Sequence, residues 1–171
     1  MFKPARTINQ LSPAFSIIEI MAVLLIVSLG IIGVSHLAVQ SMQAQTINRG
    51  SIIGYQLAQE GIEIVRQIRD TNWLQEKIWN AGLATGQYCV DFMSPVLRPA
   101  GSANDCRLYL TGDNYYYSPI TPKAIDTPSD FSRIIYIQAA TSSASVKARV
   151  TWHERDRFFN YEVETEIYDW K

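Results

Sequence analysis

From Phe15 to Val39 the chain is apolar at almost every position. At about 1.5 Å per residue, a helix of about 20 to 25 such residues crosses a hydrocarbon core of about 30 Å. The pattern turns polar from Gln40 to Asn48 without a proline, and a helical period resumes at Ser51. There Ile53, Leu57, Ile64 and Ile68, at intervals of four or seven, draw one apolar stripe. The spacing predicts one nearly continuous helix from Phe15 to about Trp79, with Gly50 and Gly54 as its bend. The stripe predicts burial against the rest of the protein rather than a binding groove. Heptads are not sustained, which argues against a free-standing coiled coil. Glu60, Glu63, Arg66 and Arg69 fall on other faces at spacings that suit weak surface ion pairs.

Beyond the helix, residues 80–130 hold most of the prolines with several Gly and Ser, predicting irregular chain with short strands. The last forty residues alternate with period two. Val146, Ala148, Val150 and Trp152 share one face, and Phe159, Tyr161, Val163, Thr165 and Ile167 share another. Glu154 to Arg157 read as the connecting loop. Pairing His153 with Phe158 then sets Arg149 opposite Glu162, Lys147 opposite Glu164, Val150 opposite Tyr161 and Ala148 opposite Val163. Both faces become complementary, which selects this register. Phe131 to Ala140 is a third strand. The expected class is α+β, a long N-terminal helix packed on a small antiparallel sheet. The expected division is residues 1–14, 15–39, 40–79 and 80–171.

Composition excludes wholesale disorder, because 47% of residues are apolar and 18% charged. Formal charge is −1, and loss of a leader holding Lys3 and Arg6 leaves 13 basic residues against 16 acidic, or −3. No basic stripe remains, so direct nucleic-acid binding is not expected. Cys89 and Cys106 are the only cysteines. In an exported domain they read as a disulfide closing a loop of about 17 residues and adding about 3 kcal/mol, with two buried free thiols as the alternative.

The first 14 residues carry Lys3 and Arg6, no acid, and end in Ser12, Pro13 and Ala14. The profile is that of an export leader. The apolar run that follows is longer than a secretory signal's, and positive charge ahead of it places the N-terminus in the cytoplasm and the remaining chain outside. Glu19 breaks this run. A carboxylate near a bilayer centre costs about 2.5 to 3.5 kcal/mol on insertion scales, so it requires either a partner or a place at the cytoplasmic edge among the headgroups.

The segment Ala14-Phe15-Ser16-Ile17-Ile18-Glu19-Ile20-Met21 resembles the processing site of type IV pilins and type II secretion pseudopilins. Residues Ala58 to Trp73 look like the corresponding stretch of minor pilins of the V type. The resemblance implies cleavage by prepilin peptidase between Ala14 and Phe15, N-methylation of Phe15, and neutralisation by Glu19 of the amino terminus of an adjacent subunit. It also implies a pilin fold and assembly, with other pilin or pseudopilin subunits and an inner-membrane platform, into a type IV pilus or secretion pseudopilus. Before assembly the subunit would sit in the inner membrane with its head extracytoplasmic; afterwards it would belong to a surface pilus or periplasmic pseudopilus. Ala14 stands where the family usually has Gly, and the apolar segment lacks the proline common in major pilins. The first departure bears on the rate of cleavage, and the second favours a minor pilin or pseudopilin over a major subunit.

Little in the chain suggests catalysis. His36 lies in the apolar run and His153 near a strand end, neither with a companion at metal or triad spacing. No nucleophile elbow, phosphate loop or zinc motif is present, and Asp105, Asp113 and Asn114 are too loosely spaced for a calcium loop. No enzyme activity, cofactor or metal is expected. Tyr115, Tyr116 and Tyr117 form an aromatic run suited either to packing or to an interface. The alternative function is a single-pass anchored extracytoplasmic binding protein, for which the run from Phe15 to Val39 is only an anchor.

Overall fold

The computed structural model describes residues 16–111, 117–118, 126–154 and 156–170. Helix α1 runs without interruption from Ile17 to Leu74. Ser16 precedes it, and the Ser16 carbonyl accepts bonds from the Glu19 and Ile20 amides at 3.0 and 3.2 Å. Glu19 lies in the first turn, where a negative charge meets the positive end of the helix dipole.

The helix ends five residues before the expected Trp79, and the reason is local. The Lys77 amide bonds the Asn72 carbonyl and the Glu76 amide bonds the Trp73 carbonyl, while Glu76 takes a left-handed φ of 56°. This paired arrangement is a Schellman cap. The Asn72 side chain secures the exit by donating to the carbonyls of Trp79 at 3.0 Å and Ala81 at 2.8 Å.

The chain divides into two compact units, residues 1–45 and 46–171, and α1 contributes to both. Within the second unit, seven strands form one antiparallel sheet among the described residues. They are β1 (Gly86–Cys89), β2 (Arg98–Pro99), β3 (Arg107–Leu110), β4 (Tyr117–Ser118), β5 (Thr127–Ala139), β6 (Ser143–Glu154) and β7 (Arg157–Tyr168). β5 is the axis. One of its edges carries β6 and then β7; the other carries β3 beside Thr127–Ser132 and β1 beside Ile135–Ile137. β5 begins four residues earlier than the sequence pattern suggests, because residues 127–130 pair with β3 despite Pro128.

The β6–β7 register is the expected one, with His153↔Phe158, Arg149↔Glu162 and Lys147↔Glu164. It extends one pair further, to Glu154↔Arg157, so the connection is shorter than a four-residue loop. Period-two patterning buries Ala144, Val146, Ala148, Val150 and Trp152 on one face. They join Leu57, Ala58, Ile62, Ile64 and Val65 of α1 and Ile135 and Ile137 of β5 in the main core. Ile53 and Ile68 flank it, so the predicted stripe is the helix's core face.

Gly50 and Gly54 are buried, and they let the helix approach the sheet. A Cβ at Gly54 would lie 2.8 Å from Trp152 Cζ3, and one at Gly50 would lie 2.9 Å from its Nε1. Gly61 serves the same purpose one level down, where a Cβ would meet Ile135 Cδ1 at 2.8 Å.

Candidate functional site

Two regions carry the functional residues read from the sequence. In the first unit, all sixteen large apolar side chains from Ile17 to Met42 are 49 to 78% exposed. At about 25 cal/mol per Å², such a surface is costly in water and stable only against lipid or other apolar chains. α1 is long and apolar enough in this stretch to cross a membrane. Glu19 is exposed, and it is the sole charged residue between Ser16 and Asn48. His36 is exposed on the same helix. Ser28 spends its hydroxyl on the Leu24 carbonyl within the helix, which removes one polar group from the apolar surroundings. Beyond the helix's own backbone, nothing lies within 4 Å of a would-be Cβ at Gly30 or Gly33.

Ala14 and Phe15, the expected cleavage and methylation positions, lie outside the described residues, as do Tyr115 and Tyr116. Tyr117 is described only as backbone, in β4, where it pairs with Leu110.

In the second unit, Cys89 and Cys106 form a disulfide with a Cα–Cα distance of 5.1 Å. It ties the end of β1 to the 3-10 turn Ala103–Cys106 that leads into β3. With Ile134 it forms a small second core on the face of β5 turned away from the helix, flanked by Ala100 and Tyr136. The two strands that share one edge of β5 are thereby covalently linked.

Arg133 has no counterpart in the sequence reading. Its side chain is fully buried on the helix-facing side of β5. Nη1 donates to the Leu57 carbonyl at 3.1 Å and pairs with Glu60 at 2.8 Å, while Nη2 donates to the Val90 carbonyl at 3.1 Å. One guanidinium thus joins helix, sheet and the segment after Cys89. Glu60 is drawn into this pair instead of a surface pair along the helix. Glu63–Arg66 at 2.6 Å is the expected intrahelical ion pair. Arg69 instead pairs with Asp70 and lies over the Trp73 ring. The signal for Arg133 was its parity: it occupies an inward position of a strand whose other inward residues are Phe131, Ile135 and Ile137.

A groove of about 440 Å³ is lined by Arg107, Asp130, Ser132, Thr151, His153 and Phe158. His153 stands against the Phe158 ring at 4.9 Å, in the groove it shares with Asp130, Ser132 and Thr151. Asp105 Oδ2 accepts bonds from the Gly101 and Ser102 amides at 2.9 and 2.8 Å, so this carboxylate closes its own turn. Asp113 and Asn114 lie outside the described residues. Among the described residues no group of three His, Cys, Asp or Glu side chains is placed to hold a metal.

No family model matches the chain, and no curated protein and no solved structure matches it.

Proposed function

We propose that the protein is a minor pilin or pseudopilin: a structural subunit that prepilin peptidase cleaves between Ala14 and Phe15, and that enters a filament through its N-terminal helix. The reading rests above all on one observation, a single carboxylate four residues beyond Phe15, at the head of the otherwise uncharged apolar stretch of α1, whose surface is exposed. A neighbouring subunit's free Phe15 amine is the partner such a group fits. Opposite unit charges about 4 Å apart attract by about 4 kcal/mol at an effective dielectric of 20, before desolvation is deducted. That is enough to select one rung along a surface of Ile, Leu and Val that is nearly featureless. Exchange of lipid contacts for helix contacts costs little, so the ion pair decides register rather than overall affinity.

The fold agrees with this role. The disulfide-tied head would be the part displayed on the filament. The inner membrane would hold the subunit before assembly, with the head extracytoplasmic. The assembly platform, prepilin peptidase and other pilin or pseudopilin subunits would be its partners.

Glu19 also stands three residues after Ser16, the spacing at which an acid helps cap its own helix. Glu19→Gln separates the two roles, since an amide still caps but carries no charge. If Glu19 pairs with a neighbouring amine, both Glu19→Gln and Glu19→Ala chains accumulate in the membrane and fail to enter filaments. Normal incorporation of Glu19→Gln would reduce Glu19 to a cap and remove the basis of the reading.

A further inference from the structure

Among the described residues, β7 pairs with β6 alone, leaving a twelve-residue strand at the edge of the sheet. The Ala140 amide bonds the Ser143 carbonyl, so the odd-numbered residues of β6 turn their backbone groups toward β5 and the even-numbered ones toward β7. The Ala139 amide agrees, pointing away from β6 to Thr85 Oγ1. In the observed register the even residues of β6 face the odd residues of β7. Residues 158, 160, 162, 164, 166 and 168 therefore turn their amides and carbonyls to the free edge.

Three of those six are glutamates: Glu162, Glu164 and Glu166 carry their carboxylates on the face turned away from the helix. Glu162 pairs with Arg149, Glu164 pairs with Lys147 and accepts from the Ser145 hydroxyl, and Glu166, opposite Ser145 in the ladder, accepts from the Tyr168 hydroxyl. A basic column on β6 is thus followed by an acidic column on β7. On the helix side, the edge stands beside an apolar shelf. Tyr55 is 48% exposed and meets Tyr161 edge-on at 5.5 Å, and Ile52, one helical turn earlier, is 59% exposed.

We infer that the free edge of β7 is a docking site for one extended segment of a separate protein, in which Lys or Arg alternate with β-branched residues. Such a strand adds main-chain bonds to the six outward residues, sets its basic side chains against the three glutamates, and lays its apolar ones on Tyr55 and Ile52. A second copy of β7 fits poorly, because antiparallel alignments of the two edges centred anywhere from residue 162 to residue 166 bring glutamate against glutamate, and only offset ones, such as Phe158 opposite Glu164, avoid it. The acidic column thus disfavours self-pairing in the central registers and selects a basic partner. The site lies wholly within residues 46–171 and is independent of how residues 15–39 pack.

The test uses the full chain in nonionic detergent and two fluorescent twelve-residue peptides, one alternating Lys with Val or Thr, the other with Glu replacing each Lys. Binding is read by anisotropy and located by hydrogen exchange. The basic peptide is expected to bind and to slow exchange across Phe158–Tyr168, and the acidic peptide is expected not to bind. Glu166→Lys, which breaks no ion pair and gives up only the exposed bond from the Tyr168 hydroxyl, should weaken the basic peptide about tenfold. Asn160→Pro removes one outward amide from an edge position that tolerates proline, and should abolish binding while the unfolding midpoint stays in place. Equal binding of both peptides, binding of neither, an unaffected Asn160→Pro chain, or self-association of the chain through β7 would each overturn the assignment.

Discussion

Removing Glu60 should destabilise the head more than removing Arg133, although the two form a single ion pair. Arg133 is fully buried, whereas the Glu60 side chain is about one-third exposed. In Glu60→Ala the guanidinium stays in the core with two carbonyls and no counter-charge. Breaking a buried pair in this direction costs about 3 to 5 kcal/mol, and the partial exposure of Glu60 brings the expectation to about 2 to 3 kcal/mol. In Arg133→Met the released carboxylate turns to water. The Leu57 carbonyl keeps its helical environment, and the Val90 carbonyl alone loses its donor, at about 1 to 2 kcal/mol. The burial of Arg133 Nε, which has no partner, is relieved at the same time. In the double variant Glu60→Ala adds almost nothing to Arg133→Met, so the coupling is about 2 to 3 kcal/mol. Urea unfolding of the full chain in detergent, followed by tryptophan emission, measures this directly. All four tryptophans lie beyond residue 72 and report on the head alone. An equal cost of Glu60→Ala in both backgrounds would refute the claim that the buried guanidinium depends on this carboxylate.

Three further outcomes follow from the geometry. Glu76→Gly should stabilise the head by about 0.5 to 1 kcal/mol in the same unfolding measurement, because glycine takes the left-handed cap position without strain. Gly54→Ala should destabilise it by about 1 kcal/mol: overpacking against Trp152, at about 1 to 3 kcal/mol, outweighs a helix-propensity gain of about 1. Hydrogen bonds from Ser145 and then Lys147, with the charge of Lys147, hold the Glu164 carboxyl below its ordinary range. Its contribution is therefore complete above the unfolded-state value and is lost as pH falls through the lower folded one. An acid titration of wild type against Glu164→Gln should show the two curves converging as pH falls below the ordinary carboxylate range, and a stability difference that grew on acidification would contradict that sign.

The parts of this fold legible in the sequence were those set by simple periodicity. The β6–β7 register followed from requiring that both faces match at once, a condition that a one-residue slip destroys, and the stripe through Leu57 and Ile64 marked the core face of α1. The cysteine pair was readable as a disulfide only as one of two alternatives. Long-range contacts were not legible. Gly50 and Gly54 suggested a flexible point, whereas their small size admits Trp152, about a hundred positions later. The end of α1 at Leu74 depends on a left-handed glutamate and on the Asn72 side chain, neither of which has a composition signature. Arg133 broke the inward pattern of its strand, and parity alone marks such a residue without naming Glu60, Leu57 and Val90 as its partners.

The proposed role stands or falls on the first residue of the mature protein. Intact-mass and N-terminal peptide spectrometry of the chain recovered from cells with active prepilin peptidase should find it beginning at methylated Phe15. A chain that still carries residues 1–14 under those conditions would contradict assembly through a Glu19–amine pair and leave an anchored ectodomain.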